Sequence, residues 1–81
     1  MGLKDLPLDT GKRIQAVFVD GFQWVSHYGK NHWVLTHPDK PPELNISIPD
    51  HKEVDRNLLK TELRKAGITV EQFCQAYKKK R

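Results

Sequence analysis

The chain predicts an α+β fold, a three-stranded antiparallel meander with helices packed on one face. Three observations predict it. Apolar residues recur at helical spacing in three separate segments. Three short strand-like runs lie between the first and second of them. A tight turn and a proline-rich loop join those runs. The element order is therefore α-β-β-β-α-α.

Each element has its own signal. Residues 1–9 read as a loose leader. Thr10 is a fair N-cap for a first helix running to about Asp20, with Ile14, Val17 and Phe18 on one side and Gly21 as its stop. "FQWVSHY" (22–28) is rich in aromatic and β-branched residues and reads as a strand. Gly29 and Lys30 make a tight turn, and "NHWVLTH" (31–37) is the antiparallel partner. "PDKPPE" (38–43) continues neither strand, because proline removes ladder donors. "LNISI" (44–48) alternates apolar and polar, and Pro49 ends it.

After a loop, Asp55 caps a second helix, "RNLLKTELRKA", which Gly67 closes. "TVEQ" (69–72) is a capping box that opens a short third helix, with Val70, Phe73, Cys74 and Tyr77 on one face.

Length and composition bound the function. The 81 residues make one domain, with a core over about 10–77 and a basic tail at 78–81. One cysteine excludes an intrachain disulfide framework and any multi-cysteine zinc site. No stretch suits a signal peptide or a membrane helix, so the cytoplasm is the expected location, with no membrane partner. The formal charge of +4 and a pI of about 9.4 suit nucleic acid or an acidic protein partner. Four of the fourteen basic residues form the terminal "KKKR", which inflates the charge of the folded part.

Alternation assigns the faces. Trp33 and Leu35 form one set in the second strand, and His32, Val34 and Thr36 the other. The large apolar set, including Trp24, belongs with the helices. The opposite face stays open to water. His32 then lies on the open face, with Asn45 and Ser47 as neighbours. From the residues alone, His32 is either a satisfied strand histidine or a general base beside Lys30. The histidine spacing matches no zinc motif, so no metal and no cofactor are expected. His51 is a loop histidine, His37 shapes a turn with Pro38, and His27 reads as surface. Arg56, Lys60 and Arg64 form one stripe on the second helix, either a solvated face or a phosphate track.

The ordered set "GFQWVSHYGKNHWVLTHPDK…LNISIPDHKEVDRNLLKTELRKAGITVEQF" resembles the HicA, or YcfA-like, family of toxins. The resemblance covers roughly residues 11–73. It implies a double-stranded-RNA-binding-domain-like fold, α-β-β-β-α, here with a short extra C-terminal helix. It also implies a metal-independent mRNA interferase, the toxin of a type II toxin–antitoxin system, held inactive by a HicB-like antitoxin. Carried over by position, Gly29, Asn31 and His32 fall on the family's turn and catalytic histidine, His37 and Pro38 on its His-Pro, and Pro49 and His51 on the motif after the third strand. Lys30 stands where the family has a turn serine. The implied site is His32 as acid/base, supported by Lys30, Asn31 and His51, with Lys30, Arg56, Lys60 and Arg64 on RNA phosphates. A non-catalytic RNA- or protein-binding module on the same scaffold is the alternative.

Overall fold

The computed structural model describes residues 3–80. A 3₁₀ turn (Leu3–Asp5) leads into α1 (Gly11–Phe22), β1 (Val25–Gly29), β2 (His32–Thr36), β3 (Ile46–Pro49), α2 (Arg56–Ala66) and α3 (Val70–Lys80). The sheet is antiparallel, in the order β1-β2-β3. Leu35, Ile46 and Ile48 are fully buried on its helix side, against Ile14, Phe18, Leu59, Leu63 and Phe73. The alternating pattern of β3 thus sends its apolar residues inward and Ser47 outward.

The caps act as the sequence predicts. The Thr10 hydroxyl accepts the Arg13 amide, and Asp55 accepts the Leu58 amide at 3.1 Å. Thr69 and Gln72 exchange two 3.0 Å bonds. Gly67 closes α2 in the left-handed region, at φ 74°.

Other boundaries differ. Helix α1 does not stop at Gly21 but continues to Phe22. Gln23 takes the left-handed cap, and its amide closes on the Phe18 carbonyl. Gly21 serves a different need: a Cβ there would stand 2.9 Å from the Ala76 Cβ, so it lets α1 and α3 approach closely. Phe22 therefore belongs to the helix, and β1 begins only at Val25. Pro49 lies within β3 rather than after it. Amides alternate sides along a strand, and the Ser47 amide points to the free edge. The nitrogen of Pro49, two residues on, faces the same edge, where no ladder donor is required.

The expected loose leader is packed. Leu6 is 1% exposed. Arg56 donates its Nε–H to the Leu6 carbonyl at 2.8 Å, and the Val54 amide bonds the Asp9 carbonyl at 2.9 Å. The Tyr77 hydroxyl donates to Asp9 Oδ2 at 2.6 Å. The Cys74 thiol donates to the Asp5 carbonyl at 3.3 Å. Burial pushes that thiol above its ordinary value, with Asp5 adding to the shift and Lys78 opposing it. Of the expected basic tail, Lys78 and Lys79 are exposed residues of α3, and Arg81 lies outside the described residues.

Glu62, 7% exposed, accepts the Ser47 amide at 2.8 Å and meets Lys65 Nζ at 3.1 Å. A buried carboxylate is thereby satisfied, and the free edge of β3 is closed.

Gly11 fixes how α1 sits on the sheet. Its amide donates to the His51 carbonyl at 2.9 Å, and a Cβ would lie 2.0 Å from the Pro49 carbonyl oxygen. Gly11→Ala should therefore cost about 2–3 kcal/mol by overpacking, lowering the melting temperature by roughly 10–20 °C. Gly29→Ala, with nothing within 4 Å of the added carbon, is the matched control. Equal melting of the two variants would show that α1 is not seated on Pro49.

Candidate functional site

The site begins with a turn. Gly29 pairs with His32, so the hairpin loop is Lys30 and Asn31, one residue later than the sequence suggested. Both have positive φ, 49° and 67°, the signature of a type I′ turn. Asparagine tolerates this conformation, whereas lysine is strained there by about 1–2 kcal/mol.

Both turn carbonyls are used. Lys30 O lies 3.1 Å from His32 Nδ1. A carbonyl only accepts, so in the neutral ring Nδ1 carries the proton and Nε2 carries the lone pair. Among the described residues Nε2 has no partner. Asn31 O accepts the Asp50 amide at 2.9 Å, drawing the loop after β3 against the turn. His51 follows in that loop and is exposed.

A second tie crosses the sheet end on the helix side. The Tyr28 hydroxyl donates to Asp50 Oδ2 at 2.8 Å, and its ring meets Trp33 edge-on, with centroids 4.9 Å apart. The bond to Asp50 holds the Tyr28 phenol above its ordinary value, with partial loss of hydration and the Asp50 charge adding.

His32 is half-buried and occupies the open face at the first position of β2, flanked by Gly29 and Pro49. Val34, in the next row, is flanked by His27 and Ser47. The open face thus carries His27, His32, Thr36 and Ser47 around Val34. The sequence reading left His27 aside as surface. The tie between Tyr28 and Asp50 had no signal, because it depends on where the loop after β3 folds.

The other histidine is occupied. His37 Nδ1 accepts the Asp39 amide and Nε2–H donates to the Phe22 carbonyl, both at 3.1 Å. Its ring packs edge-on against Trp24. It joins the end of α1 to the loop after β2. Among the described residues, no group of three or more His, Cys, Asp or Glu could hold a metal ion. No helix of the described residues is long and apolar enough to cross a membrane.

The basic stripe is not brought to the histidines. At 100° per residue, Glu62 and the stripe of Arg56, Lys60 and Arg64 lie on opposite flanks of the buried face of α2. Glu62 faces the β3 edge, while Arg56 faces the leader through Leu6. Lys60 and Arg64 are exposed on that far flank. The N-terminus of α2 is closed by the Asp55 carboxylate.

No family model, curated protein or solved structure matches this chain. What the chain itself defines is an α+β domain whose open sheet face carries two histidines beside a lysine turn.

The raised phenol of Tyr28 has a pH consequence. Its protonated form is favoured in the fold, so the contribution is complete below pH 10 and lost as pH rises through the raised folded value. In a Tyr77→Phe background, the absorbance titration of the remaining tyrosine should have its midpoint above 10.0. Asp50→Ala should bring it back toward the ordinary value. A midpoint indifferent to Asp50→Ala would mean that the bond does not persist in solution.

Proposed function

We propose that the protein is a HicA-like toxin, a metal-independent endoribonuclease on a double-stranded-RNA-binding-domain-like scaffold, with His32 as its acid/base. One observation carries the reading. The His32 ring is fixed through Nδ1 to the Lys30 carbonyl, which leaves Nε2 on the open face as a proton acceptor. The resemblance of residues 11–73 supports it. Cleavage at a phosphodiester needs a base for the 2′-hydroxyl and a cation for the charge that develops at phosphorus. His32 supplies the first. Lys30, on the turn that holds the imidazole, supplies the second, with Asn31 and His51 in support. The substrate is single-stranded or looped mRNA, whose backbone can adopt the in-line geometry.

The same face is the docking surface for a HicB-like antitoxin. An acidic partner complements the basic chain and speeds association. Co-purification with the neighbouring gene product, followed by a cleavage assay on the complex, reads this directly. A complex that still cuts RNA would refute masking.

His32→Ala should slow RNA cleavage by about 10²–10⁴-fold. Its stability should move by less than roughly 0.5 kcal/mol, because no core contact is lost. Cleavage assays with thermal melting as the folding control decide it. Wild-type cleavage by His32→Ala would take the acid/base role from His32, whereas a wild-type protein that leaves RNA intact would return the chain to a non-catalytic binding module.

Phosphate contacts are assigned to Lys30 at the site and to Arg56, Lys60 and Arg64 along α2. Lys60 and Arg64 would engage only an RNA that extends past the domain's flank. Neutralising both should flatten the dependence of log K on log salt by roughly one to two units. An unchanged slope would leave the stripe as solvated surface.

A further inference from the structure

The register that puts His32 on the open face puts a second imidazole beside it. His27 stands opposite Val34, and Val34 is two residues along β2 from His32. Residues two apart on a strand share a face, so His27 and His32 are diagonal neighbours, about 7–8 Å apart. His27 is exposed. On the far side, β3 brings only Ser47 and Pro49 to this face. The ionisable groups that the register places on this face are therefore His32 and His27, with Lys30 on the adjoining turn. His51 lies beyond the end of β3, where no sheet position fixes its direction.

That spacing suits in-line phosphoryl chemistry. The attacking and departing oxygens lie on opposite sides of phosphorus, so the base and acid serving them must stand several ångströms apart, each within hydrogen-bond reach of its own oxygen. We infer that His27 is the general acid that completes the His32 site. The inference rests on the ribonuclease reading above and gives it the group it lacks.

The step balances without a co-reactant. Neutral His32 takes the proton of the 2′-hydroxyl through Nε2. The 2′-oxygen forms a bond to phosphorus, and the bond from phosphorus to the 5′-oxygen breaks, its electron pair leaving on that oxygen. Protonated His27 donates its proton there. The products are a 2′,3′-cyclic phosphate and a free 5′-hydroxyl. His32 ends protonated and His27 neutral, and water restores both.

A leaving-group test separates the two roles. The cut position is first mapped with the wild-type protein. An RNA with sulfur in place of the bridging 5′-oxygen at that position is then compared with normal RNA, since a thiolate departs without protonation. His27→Ala and His32→Ala should both be about 10²–10⁴-fold slower on normal RNA. On the sulfur-bridged RNA, His27→Ala should recover to within about tenfold of wild type while His32→Ala stays slow. Thermal melting and His27→Gln control for folding. Wild-type cleavage of normal RNA by His27→Ala would overturn the inference. So would equal slowness on both substrates, or rescue by sulfur in His51→Ala instead. A wild-type protein that leaves RNA intact would overturn this inference together with the ribonuclease reading, whereas loss at His32 alone would overturn only the role of His27.

Discussion

The two-residue turn at Lys30 and Asn31 is the constraint on which the open face depends. Its left-handed backbone aims one carbonyl at the His32 ring and the other at the Asp50 amide. An ordinary type I turn would splay the strands and turn both carbonyls elsewhere. Strained backbone persists only where the surroundings hold it. Here Tyr28 supplies that support, reaching past Trp33 to Asp50. The turn, the imidazole and the loop after β3 therefore form one unit, tied from the helix side and presented on the other.

A second constraint is size. A domain of this length buries a modest share of its surface, so segments outside the regular elements have to contribute. The leader does so through Leu6, whose burial extends the core, and through Asp9, which binds both Val54 and Tyr77. Glu62 acts at the opposite flank of α2. Its carboxylate takes the Ser47 amide, the donor that the β3 edge would otherwise offer to another strand. The helix therefore spends one flank on the leader and the other on the sheet edge.

What was legible in the sequence follows the range of the interaction responsible. Asp55, Gly67, Thr69 and Gln72 act within one helical turn, and their positions were readable. The inward set of Leu35, Ile46 and Ile48 was readable too, because alternation needs only the strand itself. Gly21 was misread as a stop because its reason lies in Ala76, more than fifty residues away. The turn was misplaced by one residue because glycine is the usual left-handed residue, yet Gly29 is not in that region here. The leader looked loose because its partners, Arg56, Cys74 and Tyr77, are distant in the chain. His27 belongs to no motif, so spacing alone gave it no role. Alternation asks which residues share a face. A loop at Gly29 and Lys30 would have set His27 directly opposite His32, and the loop at Lys30 and Asn31 sets it diagonally. Either register places both imidazoles on one surface.

Under the proposed function, the two faces of the sheet separate stability from chemistry. The helix side holds the apolar residues whose burial drives folding. The open side holds side chains whose removal leaves that core untouched, so the histidines proposed for proton transfer stand apart from the packing. The coupling between the faces is confined to the hairpin end, where Tyr28 and Asp50 on one side steady the turn that positions His32 on the other. A change at Asp50 would therefore loosen the imidazole without touching it, whereas a change at Leu59 or Phe73 would act through folding alone. Position relative to the sheet, rather than distance along the chain, decides which substitutions reach the proposed site.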